Sequence, residues 1–291
     1  MSANNLKQQI QEAAKDMASK LVFSGEDGHR YTNLEGQWLQ GVSTVSNIMP
    51  KDWLAAWGAK EAVKALGYSD FIEDIEGAEE MLGKIKKFKT AKEYMALLKE
   101  VKGAAFRKSK EALLDGKRGH EWLESYCGAK INGTKIPEIP KGDMLERPLT
   151  QFVEWAEKEV DYWILSEAQV IHEKHKYAGT LDAVAMMKTS RLAVVDFKFA
   201  SHTSPDYHLQ LAGYKATFEP YLITIDDRII VRLPKTLELN EWDKENRKYR
   251  KVENSIEVKV IDTDYEFDRD TFVAALPVKK WINQMQKLEK Q

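Results

Sequence analysis

The twenty residues from Gly179 to Lys198, GTLDAVAMMKTSRLAVVDFK, place two aspartates and a terminal lysine in a stretch whose composition otherwise permits little but strand. Tyr177 to Met187 and Arg191 to Phe199 are apolar and β-branched, and Lys188-Thr189-Ser190 between them is polar enough to turn. A β-hairpin is the expectation. Asp182 falls near the middle of its first strand and Asp196 near the end of its second, so antiparallel pairing brings both carboxylates to one edge. Side chains alternate faces along a strand, so Asp196 and Lys198 share a face. Phe197 then turns into apolar packing and leaves its backbone carbonyl near the acids. Unpaired charge is costly to bury. Two explanations compete: an ordinary Asp–Lys ion pair at a strand end, or a hard divalent cation, Mg²⁺ or Mn²⁺, held by oxygens of Asp182, Asp196 and the Phe197 carbonyl.

The 291 residues suffice for one large domain, with or without an elaborated insertion. Forty-four Lys and Arg face 46 Asp and Glu, a net charge of −2, which argues against nucleic-acid binding through overall charge and leaves a local patch open. The single cysteine, Cys127, excludes an internal disulfide, a cysteine-ligated zinc site and an iron–sulfur cluster built from this chain alone. No apolar run approaches a membrane span, and the first twenty residues have neither a signal-peptide core nor transit-peptide character. A cytoplasmic protein with no membrane partner is expected.

Residues 5 to 20 have helical composition with a thin apolar stripe, Leu6, Ile10, Ala13, Ala14 and Met17, which predicts a peripheral helix. Residues 30 to 48 alternate like short strands around Asn33-Leu34-Glu35-Gly36 and end in Ser43-Thr44-Val45-Ser46. The Ser43 and Thr44 hydroxyls suit phosphate oxygens, and equally suit a strand or a helix cap. From Pro50 to about Ser125 the pattern is helical, with Trp53 and Trp57 at i,i+4, a spacing that favours core packing over base stacking. Charge in this region is segregated. Acids dominate from Asp70 to Glu80, and a basic run from Lys84 to Arg118 is diluted only by Glu93, Glu100, Glu111 and Asp115. That run reads either as a polyanion channel or as a solvated helix face.

His120 and Glu124 follow at i,i+4 on one helical face, able to point at one ion, although a lone helix histidine is also commonly structural. Residues 131 to 148 read as a loop, 149 to 160 as a helix, and 162 to 173 as a strand carrying Glu167. Beyond the hairpin, a turn at 201 to 205 leads to a helix with Gln210 and Tyr214 at i,i+4, then a strand from 221 to 233. Strand, helix and strand predict a right-handed crossover, and hence an α/β core. A charged connection, a strand near 255 to 261 and a helix from about Asp268 complete the chain. The expected segments are a helix and hairpin (1–49), a basic helical cover (50–115), a core (116–235), and a strand and helix extending the same domain (236–291).

In this order the motifs resemble the PD-(D/E)XK nuclease superfamily, in its RecB-like exonuclease branch: G-x-x-x-H-x-x-x-E at Gly116, His120 and Glu124, G-x-x-D at Gly179 to Asp182, D-x-K at Asp196 to Lys198, and Q-x-x-x-Y at Gln210 to Tyr214. Ser43-Thr44-Val45 with Leu54-Ala55-Ala56-Trp57 is also similar to phage and mitochondrial genome maintenance exonucleases. Leu181 stands where the superfamily often has proline, and Asp196 where it often has glutamate.

The resemblance implies a restriction-endonuclease-like core, a mixed central sheet flanked by helices, with a large N-terminal helical insertion. It implies that His120, Asp182, Asp196 and the Phe197 carbonyl hold Mg²⁺ or Mn²⁺. Lys198 would orient or activate the attacking water, and Glu124 would be a supporting acid. Gln210 and Tyr214 would brace the site or touch the nucleic-acid backbone, and Glu167 is a weaker candidate for the same neighbourhood. The implied activity is a DNA exonuclease acting on single strands or overhangs in replication, recombination or repair, in a bacterial or phage-infected cell, with a recombination or replication protein as partner. Two rivals remain: a nuclease-like protein that binds DNA ends without cutting, and a structure-specific endonuclease on the same core. No G-x-x-x-x-G-K-[ST] phosphate loop is present, so no ATP requirement is expected. His172 and His175 lie three apart in a strand-turn context, which does not fit a zinc-protease helix.

Overall fold

The computed structural model describes residues 3–25, 30–71 and 74–289. The chain forms two compact units that interleave in sequence, one of Met1–Met49, Gly119–Pro234 and Ser255–Gln291, the other of Pro50–Arg118 and Lys235–Asn254.

The first unit is a mixed α/β domain built on an eight-stranded sheet. Its strands are β1 (Leu21–Ser24), β2 (Arg30–Asn33), β3 (Trp38–Gly41), β4 (Val160–His172), β5 (Tyr177–Met187), β6 (Leu192–Phe199), β7 (Asp227–Leu233) and β10 (Glu257–Val260). The order is β1-β2-β3-β5-β6-β7-β10, with β4 also on β5. The predicted hairpin is β5–β6, turned at Lys188–Ser190, where Ser190 takes a positive φ of 61°. A strand has only two edges, and β4 occupies one edge of β5 from Tyr177 to Met187. The other edge is therefore shared: β6 pairs antiparallel with Ala183–Met186, and β3 pairs parallel with Tyr177 and Ala178. Between them the sheet forks at Gly179–Asp182.

Apolar side chains alternate along the central strands, and this splits the core in two. Leu192 and Val194 of β6 join one cluster, with α1 (Ala3–Ser19), α2 (Val42–Ser46), α8 (Asp206–Ala216) and α9 (Tyr265–Leu288). Ala193, Val195, Phe197 and Phe199 join the other, with α7 (Glu146–Glu159) and the later turns of the 29-residue helix α6 (Ala104–Asn132). By the same alternation Asp196 and Lys198 belong to the α8 side. The crossover from β6 through α8 to parallel β7 is present as expected. The N-terminal helix is not peripheral, because Ile10 and Met17 are fully buried in the first cluster. Ser43 to Ser46 forms the short helix α2 rather than strand.

The second unit contains α3 (Trp53–Lys64), α4 (Glu76–Lys86), α5 (Ala91–Lys102), the first turns of α6, and a hairpin of β8 (Glu238–Asp243) and β9 (Lys248–Glu253). Residues 238 to 253, expected to be a charged connection, are these two strands. Leu97 is the buried apolar side chain of this unit among the described residues. Core packing is therefore not the role of Trp53, whose side chain is 60% exposed on a helix that buries no residue, and Trp57 is only half-buried. The unit has too few large side chains in its interior to cover both indoles.

Candidate active site

The fork in the sheet leaves backbone groups without ladder partners, and side chains satisfy them. Tyr214 donates its hydroxyl to the Thr180 carbonyl at 2.7 Å, and the Phe197 amide donates to Asp182 Oδ2 at 2.6 Å. Tyr31 and Thr180 join hydroxyls at 2.9 Å. Gly179 is required by this arrangement, since a Cβ there would lie 2.7 Å from the Tyr214 ring. Gly119 serves the same purpose on α6. A Cβ at that position would overlap the Phe199 ring, whose close approach holds the next residue, His120, edge-on to Phe199 with ring centroids 5.6 Å apart.

Register aligns the acids. Pairs Ser166↔Ala183 and Ala168↔Leu181 set Glu167 directly opposite Asp182, and the pair Ala183↔Val195 makes Asp196 the next residue facing Asp182 from β6. Three carboxylates thus run in a row across β4, β5 and β6. Like charges directly opposite one another destabilise a sheet. Glu167 also has a φ of 46°, left-handed backbone that a non-glycine residue rarely adopts within a strand. His120, Glu167 and Asp182 each present a ligand atom within 4.8 Å of the other two.

Asp196 is engaged differently. Lys198 Nζ donates to its Oδ1 at 2.7 Å, and buried Gln210 donates to the same oxygen at 3.0 Å. Oδ2 lies 2.6 Å from the ammonium, at an angle that makes no hydrogen bond, and is a buried oxygen without a hydrogen-bond donor. The Lys198 ammonium stands 5.2 Å from the Tyr207 ring centroid.

Burial, reinforced by the charges of Asp182, Glu124 and Asp196, pushes the Glu167 carboxyl up to about 8. Burial also pushes Asp196 up to about 6 against the pull of Lys198, and raises Asp182 against the pull of Lys198 and the Phe197 amide. Burial works to lower Lys198, but Asp196 and Asp182 outweigh it and hold the ammonium above its ordinary range. With all three carboxylates ionised and one ammonium present, two negative charges remain, the complement of one divalent cation. The donor set of carboxylate oxygens and one imidazole fits a divalent cation, and the donorless Asp196 Oδ2 is an oxygen such an ion would satisfy.

The structure brings together His120, Glu167, Asp182, Asp196, Lys198 and Gln210. Glu167, a weaker candidate by sequence, sits in the cluster with His120 and Asp182, whereas Asp196 is held by Lys198. Phe197 meets Asp182 through its amide, with its ring packed edge-on to Phe152 and Trp163. Glu124 is exposed on α6, near enough to Glu167 to raise its pKa. Buried Gln210 and Tyr214 bond to Asp196 and Thr180, which is a bracing arrangement. Ser43 and Thr44 are exposed on α2, outside the acidic cluster. Sequence reasoning missed Tyr207, although its spacing from Gln210 and Tyr214, three and seven residues, marks the same helical face.

No protein-family model and no curated protein matches the chain. Among solved structures it is similar to an alkaline exonuclease, LHK-Exo from Laribacter hongkongensis, at 11% identity over 59% of this chain and 86% of that chain, with a TM-score of 0.26. It is also similar to SSO0001, at 14% identity over 46% of this chain and 57% of that chain, with a TM-score of 0.23. These likenesses are low, and the functional reading rests on the geometry of the residues. Among the described residues, no helix is long and apolar enough to cross a membrane.

Proposed function

We propose that this protein is a metal-dependent nuclease that hydrolyses phosphodiester bonds in DNA, acting as an exonuclease on single strands or overhangs. The observation that carries this reading is the row of three carboxylates, Glu167, Asp182 and Asp196, aligned across adjacent strands beside the Lys198 ammonium. An ordinary ion pair accounts for Asp196 and Lys198 and leaves Glu167 opposite Asp182 unexplained. His120, Glu167 and Asp182 would hold the ion, with Asp196 supplying its free oxygen. A bound divalent ion supplies charge neutralisation at the phosphate and a lower pKa for water.

The chain's own residues do the rest. Lys198, kept cationic by Asp196 and Asp182, presents fixed positive charge toward the charge that develops on the scissile phosphate. Gln210 fixes the Asp196 carboxylate, and through it the ammonium. Tyr214 and Gly179 hold the fork open at Asp182. A polyanionic substrate fits the basic run from Lys84 to Arg118, with twelve basic and four acidic residues.

The test is digestion of end-labelled linear single-stranded DNA beside a covalently closed circle, with Mg²⁺ or Mn²⁺, for wild type and Lys198→Ala. Loss of the linear strand alone, abolished by the substitution and by chelation, is expected. Cutting of the circle would replace the exonuclease with an endonuclease. Survival of both substrates while the protein binds them would leave a DNA-end-binding protein.

A further inference from the structure

The first turns of α6 carry side chains that the core and the acidic cluster do not use. Phe106, Lys110, Leu113 and Lys117 are spaced four, three and four residues apart, so they lie one above another on one helical face. Phe106 is 75% exposed and Leu113 is 73% exposed. Among the large apolar side chains described, only Leu222, at 91%, is more exposed. Lys110 and Lys117 are exposed beside them. Helix α5 repeats the pattern with Lys92, Met95, Lys99 and Lys102, spaced three, four and three, and Met95 is 62% exposed.

Alternation of apolar tips with ammonium groups selects the occupant. A second copy of this face would set lysine against lysine, and like charges across an interface are unfavourable. Twelve basic residues against four between Lys84 and Arg118, in a chain of net charge −2, complement a polyanion. A duplex offers only phosphates, because its base faces are stacked away. A single strand offers phosphates to the lysines and open base faces to Phe106 and Leu113.

We propose that this face of α6 is a binding track for single-stranded nucleic acid, on which Phe106 and Leu113 pack against bases and Lys110 contacts phosphate. The track deepens the nuclease reading, on which it rests for the chemistry of its substrate.

The test measures fluorescence anisotropy of a labelled oligothymidylate in EDTA, so that no strand is cut, beside an abasic strand of equal length and a duplex. The oligothymidylate is expected to bind tightest. Phe106→Ala is expected to weaken it about ten-fold, with Phe106→Trp restoring affinity. Lys110→Gln is expected to reduce the slope of log affinity against log salt by about 0.7. Equal binding of the abasic strand, preference for the duplex, or an unaffected Phe106→Ala would each overturn the track.

Hydrolysis of bis(p-nitrophenyl) phosphate with Mn²⁺ separates the two readings, since that small diester needs no track. If it is cut while Phe106→Ala binds strands as wild type does, the track fails and the nuclease stands. If the strand binds as expected while neither it nor the diester is cut with metal, the nuclease reading fails and the track stands.

Discussion

Two hairpins of this protein carry charge in opposite ways. In β8–β9 most side chains are exposed, and the ion pairs run across the strands: Glu241 lies opposite Arg250 and bonds it at 2.7 Å, and Lys251 reaches Glu238 at 3.6 Å, while the like pair Glu238 and Glu253 stands in solvent at the open end. In β5–β6 the strands are largely buried, and like charges meet: Asp182 faces Asp196 on one side and Glu167 of β4 on the other. Charge on the first hairpin is solvated and self-compensated. Charge on the second is only partly offset, by the Lys198 ammonium, the Phe197 amide and the nearby His120. A surface can keep either arrangement at little cost, whereas an interior keeps the second only by protonating an acid or by binding a counter-charge, and perturbed clusters of this kind concentrate at functional sites.

The largest expected effect tests the buried hairpin. Asp182→Asn keeps an oxygen to accept the Phe197 amide and removes the charge, so the fold should persist while metal-dependent hydrolysis falls on the order of 10³-fold. Single-turnover rates with saturating Mn²⁺ measure this. A variant within about two-fold of wild type would mean that the aligned acids are structural.

Next comes the cost of the alignment itself. The Glu167 carboxyl, normally near 4.5, is held up to about 8 in the fold. The folded state therefore binds its proton more tightly than the unfolded state. The stability this contributes is present below about pH 4.5 and is lost as pH rises through about 8. Glu167→Gln cannot ionise, so in EDTA its melting temperature should overtake that of wild type by a few degrees across that window. Added Mn²⁺ should then raise the wild type and not the variant. Parallel melting curves at all pH values would show that Glu167 is not strained by its neighbours.

The smallest effect belongs to the exposed hairpin. Arg250→Ala should cost less than about 1 kcal/mol in urea denaturation, because exposed ion pairs are weak, and should leave diester hydrolysis unchanged. A loss of several kcal/mol would erase the distinction between the two hairpins.

The buried hairpin was legible because its apolar alternation is strong and its acids interrupt it. Residues 238 to 253 were not, since exposed charged strands such as Glu238–Asp243 lack an apolar face to give period two. Asp182, Asp196, Lys198 and His120 could be singled out from the order of the four motifs, where spacing alone leaves an ion pair and a structural histidine open. The weight of Glu167 could not, because its place opposite Asp182 depends on cross-strand register fifteen residues away in sequence. Trp53 shows a third limit. Its i,i+4 spacing with Trp57 describes a helix face and does not say whether anything covers it, and here little does.

The Phe197 amide bears on which ion the proposed site would prefer. It donates to Asp182 Oδ2 at 2.6 Å, so Oδ1 is the less engaged oxygen of that carboxylate. Lys198 and Gln210 likewise take up Oδ1 of Asp196. Oδ1 of Asp196 thus accepts two donors, and Oδ2 of Asp182 one, which leaves the other oxygen of each aspartate the more open to an ion. Calcium gains much of its seven- or eightfold coordination from carboxylates that chelate through both oxygens, whereas magnesium and manganese accept one oxygen from each ligand at shorter range. If the proposed site holds an ion, the Phe197 amide with the Lys198 and Gln210 side chains would favour one small enough to take a single oxygen from each aspartate.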